Sequence, residues 1–469
     1  MPRVLMVTSE AVPFVKTGGL ADVMGALPAA LAGLGWQVAV VLPRYAVAQV
    51  EGCERIWQRM TLWVGSHIYN VAIDQLIRDN VRYLFVDCPP LYDRDGVYNI
   101  NSVDFRDNHL RFALLNQAAL GVARYIFRPD VFHCHDWPTG LVPLYLRETF
   151  RGDPTFLGSK SVYTIHNLGY QGNFGPWALG DLGLSPALYN PGGLELNGNV
   201  SFMKAGLVWA DAITTVSPTY AREIQTPEYG FGLDGLLRSR SGKLSGILDG
   251  VDYQEWNPEL DHCLPVRFSA SDLSGKKIVK RLLMEQMGLP VNDAKPVMGV
   301  VSRFADQKGF DLVSAATDEL AQLDIAMVVL GSGESRFENL FRDLARRHPE
   351  KFAVRIGYDE ALSHRIVGGS DLFLMPSRYE PCGLSQIYSL RYGTVPIVRA
   401  TGGLEDTVEP ETGFKFTEYS AAAMMNAVRL ALKAFQEPST WKLRMQRGMA
   451  RNFSWAASAA EYIRLYQSL

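Results

Sequence analysis

Residues 4–23 read VLMVTSEAVPFVKTGGLADV, and residues 297–313 read VMGVVSRFADQKGFDLV. Each stretch opens with a short apolar run, passes through a loop carrying a lysine beside or near glycine, and enters a pattern of helical spacing. A buried strand, a loop and a helix have this form. Similar apolar runs recur at 38–42, 81–86, 131–134, 161–165 and 213–216, and again at 326–330, 352–356, 372–375 and 395–398. Strands alternating with helices predict parallel α/β sheets, and the series is long enough for two doubly wound domains. Each would hold ligand at the carboxyl ends of its strands, and two such edges facing each other make a cleft.

Between the two series lies GILDGVDYQEWNPELDHCLPV (246–266), rich in Gly, Asp and Pro and weak in periodicity. The hinge is expected there, with domains over 1–248 and 249–452. The remaining segment, 453–469, is helical in pattern, and spacing alone does not say which domain it joins. The uncharged stretch 23–43 is long enough for a membrane span, but Gly25, Pro28, Gly33, Gly35 and Gln37 interrupt it. It reads as a helix containing an unfavourable Pro28, a glycine turn and a buried strand.

Composition narrows the function classes. The 46 Lys and Arg against 49 Asp and Glu give a net charge of -3 with no long basic run, so no broad field attracts nucleic acid. A hydrophobic content of 47% supports large buried cores. The five cysteines are scattered without a CxxC pair, which argues against a disulfide framework or structural zinc and for a reducing compartment. The opening MPRVLMVTSE has too short an apolar run to act as a signal peptide. A cytoplasmic protein without a membrane segment is expected.

Several residues could carry chemistry. Gly18 and Gly19 precede a helix, with Lys16 alongside, so backbone amides and a point charge could face a phosphate; an ordinary turn with a solvated lysine has the same composition. Gly402 and Gly403 repeat the pattern in TGGLEDTV (401–408). No GxxxxGK[ST] is present, so a P-loop ATPase is not supported. Arg303 and Lys308 stand at the end of a strand and in the loop after it, where two cations could neutralise a departing diphosphate. Ser385 starts a helix close to the acidic Glu380.

Other features have weaker chemistry. His133 and His135 in HCHDW alternate onto one strand face, but a catalytic zinc usually takes three protein ligands and no third is spaced to join them. Asp93 and Asp95 form a DxD in a Tyr- and Gly-rich loop, where a turn is the better reading. His166 ends the run VYTIH and is either a satisfied core histidine or a site residue. Ser217 and Ser377 lack the GxSxG elbow of a hydrolase.

Taken in order, KTGGLADV (16–23), HCHDW (133–137), YTIHNLGYQG (163–172), TVSPTYAREI (215–224), RFADQKGFDL (303–312), the block 377–408 from SRYEPCGLSQ to TGGLEDTV, and TGFKF (412–416) resemble the bacterial glycogen synthase and plant starch synthase family nearly end to end. The resemblance implies a GT-B fold: α/β, two Rossmann-like doubly wound domains with an interdomain cleft, and the helix 453–469 returning to the first domain. It implies transfer of glucose from ADP-glucose to the non-reducing end of an α-1,4-glucan with retention of configuration, without a metal or other cofactor.

Carried over by motif, Lys16, Gly18 and Gly19 would face the diphosphate from the first domain, and Arg303 and Lys308 from the second. Tyr358, in IGYDEALSHRI, resembles the position whose ring stacks on adenine. Glu380 would hold sugar hydroxyls, with the backbone of Cys382, Gly383 and Leu384 near sugar and phosphate and Ser385 where many members have Thr. His166 would contact the glucose, its carbonyl near the anomeric carbon, with Asn167 beside it. Asp136 and Trp137 fall in a loop assigned to the acceptor.

Retention by double displacement needs a carboxylate against the anomeric carbon. Asp22 and Glu380 are candidates by type, while the resemblance favours front-face attack with the phosphate taking the proton. One departure is visible: the family commonly reads GILNGID where this chain has GILDGVD, so Asp249 replaces an Asn near the sugar. HCHDW followed by Pro138 and Thr139 also varies from the commoner HAHDWHA. The alternatives are a GT-B transferase using UDP-glucose or a small acceptor and a glucan-binding protein with weak or no turnover; a nucleotide-sugar epimerase has a similar plan, but the pairing of KTGGL with EPCGL is not its signature.

Overall fold

The computed structural model describes residues 1–101 and 103–469. The chain forms two compact units, one of residues 1–216, 221–250 and 455–469, the other of residues 217–220 and 251–454.

The first unit is built on β1 (Arg3–Val7), α1 (Gly19–Gly33), β2 (Gln37–Pro43), β3 (Glu54–Val64), β4 (His67–Arg78), β5 (Val81–Asp87), α2 (Asn108–Tyr125), β6 (Val131–His135), β7 (Lys160–Ile165), β8 (Ala212–Thr215) and β9 (Leu244–Gly246). These strands form one sheet in the order β9-β8-β7-β6-β1-β2-β5-β4-β3. Val4 to Val7 of the central strand are fully buried, as a strand covered on both faces requires. The parallel sheet expected from the sequence runs from β9 to β5, and an antiparallel pair that was not foreseen extends its edge: β4 runs antiparallel to β5, and β3 antiparallel to β4. Register shifts between Arg55, Trp57 and Met60 break the alternation of β3, so its period-2 signal is lost.

Pro28 lies inside α1 and is buried with Leu20, Val23, Met24, Leu27 and Leu31. This face is covered by a helix from the end of the described chain, Trp455–Gln467, whose Trp455, Ala459, Tyr462 and Tyr466 enter the same apolar cluster. Tyr466 packs on Trp36, ring centroids 5.1 Å apart, and bonds His133 Nδ1 at 2.7 Å.

The second unit contains β10 (Val297–Val301), β11 (Ala326–Gly331), β12 (Phe352–Ile356), β13 (Leu372–Met375), α3 (Ser385–Arg391), β14 (Val395–Arg399), α4 (Gly402–Thr407) and β15 (Phe414–Phe416). Its sheet has the order β12-β11-β10-β13-β14-β15 and is parallel throughout. In both sheets the first strand of the unit is interior, and the chain winds away from it to both sides. Such a switch point opens a crevice at the carboxyl ends of the central strands. The crevice of the first unit lies past β1 and β6, and that of the second past β10 and β13. Among the described residues no helix is long and apolar enough to cross a membrane.

Candidate functional site

In the first unit the loop after β1 turns on Glu10, which is 3% exposed. Its carboxylate accepts the amide of Thr17 at 2.5 Å, the Thr17 hydroxyl at 2.7 Å, the amide of Gly18 at 3.2 Å and the Tyr98 hydroxyl at 2.8 Å. An internal anion thus holds the KTGG segment open. A Cβ built on Gly18 or Gly19 would meet nothing within 4 Å, so the protein's own packing does not require glycine at either place. The open space suits a ligand that approaches the backbone closely. Lys16 reaches Asp22 of α1 at 2.7 Å, with half of the lysine side chain exposed.

The loop after β6 supplies a second group. Asp136 takes φ 56, a left-handed conformation rare outside glycine, and its Oδ1 accepts the His166 amide at 2.7 Å and the Asn167 amide at 3.5 Å. Burial pushes the Asp136 carboxyl up to about 7, against the lowering effect of those amides, and the Glu10 charge adds to the rise. The Asn167 side chain accepts the Gly169 amide at 2.9 Å and shapes its own turn. Trp137 packs edge-on against Phe112 at 4.8 Å and lies near Phe174 and Phe202, so its ring anchors the loop that carries Asp136.

His166 Nε2 lies 3.0 Å from His135 Nδ1. Burial lowers His166 to about 3 and places His135 well below the usual imidazole range, so both rings are neutral at working pH. His133 and His135 do share one strand face, their centroids 4.1 Å apart. His133, however, is bonded at both nitrogens, to Tyr466 and to Thr164 Oγ1 at 2.6 Å. Asp249 is buried in this unit near its boundary.

In the second unit Arg303, Lys308, Ser377 and Ser385 line one cavity of about 180 Å³ past the ends of β10 and β13. Lys308 Nζ contacts Glu380 Oε2 at 2.6 Å and Oε1 at 2.9 Å, and Ser377 donates to Oε2 at 2.9 Å. Glu380 begins the turn through Cys382, Gly383 and Leu384 into α3, and Cys382 is buried there. Tyr358 stands apart from this cavity, after β12 at the far side of the sheet, 83% exposed, with its hydroxyl 3.2 Å from Glu360.

The second TGG does not repeat the first. Gly402 takes φ 45, and a Cβ there would lie 1.8 Å from the Glu380 carbonyl; at Gly403 it would lie 2.1 Å from the Cys382 carbonyl. Gly403 N donates to Glu380 O at 3.1 Å. Of the two readings open for this segment, a phosphate cradle or an ordinary turn, the packing matches the turn, which shapes the backbone at Glu380. Arg94, between Asp93 and Asp95, pairs with Asp107 at 2.6 Å.

Residues 3–239 match the starch synthase catalytic domain family, and residues 285–445 match the group 1 glycosyl transferases. Over 99% of its length the chain is 49% identical to a glycogen synthase of Koribacter versatilis (strain Ellin345), covering 98% of that protein. The chain belongs to the glycogen and starch synthase family. It is likewise 49% identical to a glycogen synthase of Myxococcus xanthus (strain DK1622), over all of this chain and 99% of that one. The catalytic domain of starch synthase IV from Arabidopsis thaliana, solved with ADP and acarbose, superposes with a TM-score of 0.89 at 32% identity, covering 100% of this chain and 99% of that one. A sucrose-phosphate synthase from Thermosynechococcus elongatus shares the fold, with a TM-score of 0.62 at 19% identity over 100% of this chain and 99% of that one. The fold is GT-B and the protein is a glycosyltransferase.

Within this synthase family fold, sequence reasoning missed Glu10, Tyr98 and Ser377 as parts of the two crevices. Glu10 had a signal: it is the first carboxylate past the central strand, seven residues ahead of Thr17. Ser377 was weighed only as a nucleophile, whereas its hydroxyl serves Glu380. Ser217 donates to the Pro381 carbonyl at 2.5 Å.

Proposed function

We propose that the protein is a glycogen synthase that transfers glucose from ADP-glucose to the non-reducing end of an α-1,4-glucan with retention of configuration. The observation that carries this reading is the Lys308–Glu380 pair beside Arg303 at the switch point of the second unit. It supplies fixed positive charge where a diphosphate leaves and a carboxylate where sugar hydroxyls bind.

Lys16 and the bare backbone at Gly18 and Gly19 are assigned to the same diphosphate, Tyr358 to the adenine face and His166 to the glucose. Asp136, neutral or charged near pH 7, holds the His166 and Asn167 backbone, and with Trp137 it sets the loop assigned to the acceptor. A diphosphate leaves readily once its charge is neutralised, so little acid catalysis is required of the protein. Asp22 is ion-paired with Lys16, and Glu380 is ion-paired with Lys308 and accepts a hydrogen bond from Ser377. Carboxylates engaged in this way are poor nucleophiles, which supports front-face attack with the donor phosphate accepting the acceptor's proton.

No disulfide joins any two of the five cysteines, and the compartment assigned to the protein is the cytoplasm. The test is nucleotide release and glucose incorporation into glycogen, with ADP-glucose and UDP-glucose compared and no metal added. Strong preference for ADP-glucose is the expected result. Turnover with UDP-glucose alone would move the donor assignment, and donor binding without transfer to glycogen would mean a different acceptor or a binding protein, which a screen of small acceptors separates. A glucosyl adduct trapped on Asp22 or Glu380 would overturn front-face attack.

A further inference from the structure

Among the described residues the ring of the buried His166 makes one hydrogen bond to protein: its Nε2 lies 3.0 Å from His135 Nδ1. His135 is fully buried, and its other nitrogen, Nε2, has no hydrogen-bond partner. One proton lies between the two rings, and it can belong to either. If His166 Nε2 carried it, neutral His135 would be protonated at Nε2, leaving a buried N–H with no acceptor. If His135 Nδ1 carries it, His135 Nε2 is a bare lone pair, and His166 is protonated at Nδ1. Orphaned buried donors are rarer in proteins than under-satisfied acceptors, so the second arrangement is favoured. The neighbouring ring of His133 cannot exchange this pattern, because both its nitrogens are engaged by Tyr466 and Thr164.

We propose that His135 is a positioning residue that locks His166 in its Nδ1–H form, so that His166 presents a hydrogen-bond donor to a hydroxyl oxygen of the transferred sugar. The fixed tautomer removes one choice from the ligand: the hydroxyl at this place must accept. A sugar carrying hydrogen or fluorine in place of that hydroxyl would forfeit the bond. This deepens the proposed glucosyl transfer and rests on it for the identity of the ligand, but the tautomer is a property of the protein alone.

The test uses the full-length protein with ¹⁵N-labelled histidine. In the wild type the His166 ring is expected to show a pyrrole-type Nδ1 and a pyridine-type Nε2 without any substrate present. A pyrrole-type Nε2 on His166 would overturn the proposal, whatever the enzyme's donor. His135→Asn retains an amide N–H that can occupy the place of Nδ1–H, whereas His135→Leu cannot donate. The Leu variant is expected to shift His166 towards its Nε2–H form and to lose about tenfold in kcat/KM for the donor. The Asn variant is expected to keep the tautomer and recover most of the activity. Equal loss in both variants with the His166 signature unchanged would assign His135 a packing role only and overturn the proposal. Failure of glucosyl transfer in the wild type, with the tautomer as stated, would count against the donor and acceptor and leave the lock standing.

Discussion

Lys308 and Glu380 form an ion pair whose side chains are 18% and 7% exposed, with the ammonium 2.6 Å from Oε2. Neither charge can be removed alone without stranding the other. Lys308→Met is expected to destabilise the protein by about 3 kcal/mol, and Lys308→Met with Glu380→Gln by clearly less. Both are expected to lower kcat by about 10²-fold or more, because the double variant restores burial and not the charge at the leaving group. Denaturant midpoints and steady-state rates on the same preparations separate the two effects. A double variant no more stable than the single one would show the pair to be less desolvated than its exposure indicates.

Gly18 and Gly402 occupy similar sequences and opposite environments. Gly18→Ala meets open space on an extended backbone, so the melting temperature is expected to hold while the donor KM rises about tenfold. Gly402→Ala forces a methyl onto the Glu380 carbonyl at positive φ and is expected to cost about 2 kcal/mol or more. Thermal melts set beside donor titrations of the two variants check the contrast.

Asp136 gives a pH signature. Its carboxyl stands at about 7 in the folded protein against 3.8 for the ordinary group, so between these values the native state holds a proton that the unfolded state has released. The contribution of Asp136 therefore favours folding below this window and is lost as pH rises through about 7. Asp136→Asn keeps the oxygen that accepts from His166 and removes the titration. Between pH 5 and pH 8 the wild type is expected to lose more stability than the variant. Parallel slopes in urea unfolding would remove Asp136 as the group responsible.

Asp249 brings a carboxylate where the family commonly has an amide. Asp249→Asn is expected to lower the donor KM about threefold by removing like-charge repulsion from the diphosphate. An unchanged donor affinity, read by calorimetry, would place Asp249 outside the reach of the donor.

The parallel strands were legible because each is a short apolar run closed by glycine, proline or polar residues, as in Val297–Val301 and Leu372–Met375. The hairpin of β3 and β4 was not, since bulges around Trp57 remove the alternation that marks an edge strand, although the Gly65-Ser66 turn was in view. At the crevices, lysines and glycines announced themselves by pattern. Glu10 offered only its place as the first carboxylate past the central strand, and its bonds to Thr17 and Gly18 appear only once the chain doubles back. The two TGG segments show the converse: identical letters, where only the neighbouring backbone at Glu380 distinguishes a packed turn from an open one.

The helix Trp455–Gln467 completes the apolar cluster over α1 although the entire second unit is synthesised before it. On the ribosome the first unit is thus the earlier to emerge and the later to finish. Until residues 455–467 arrive, Leu27, Leu31 and Trp36 lack part of their cover and His133 lacks Tyr466. A nascent chain stalled between Gly250 and Trp455 carries that uncovered face with it.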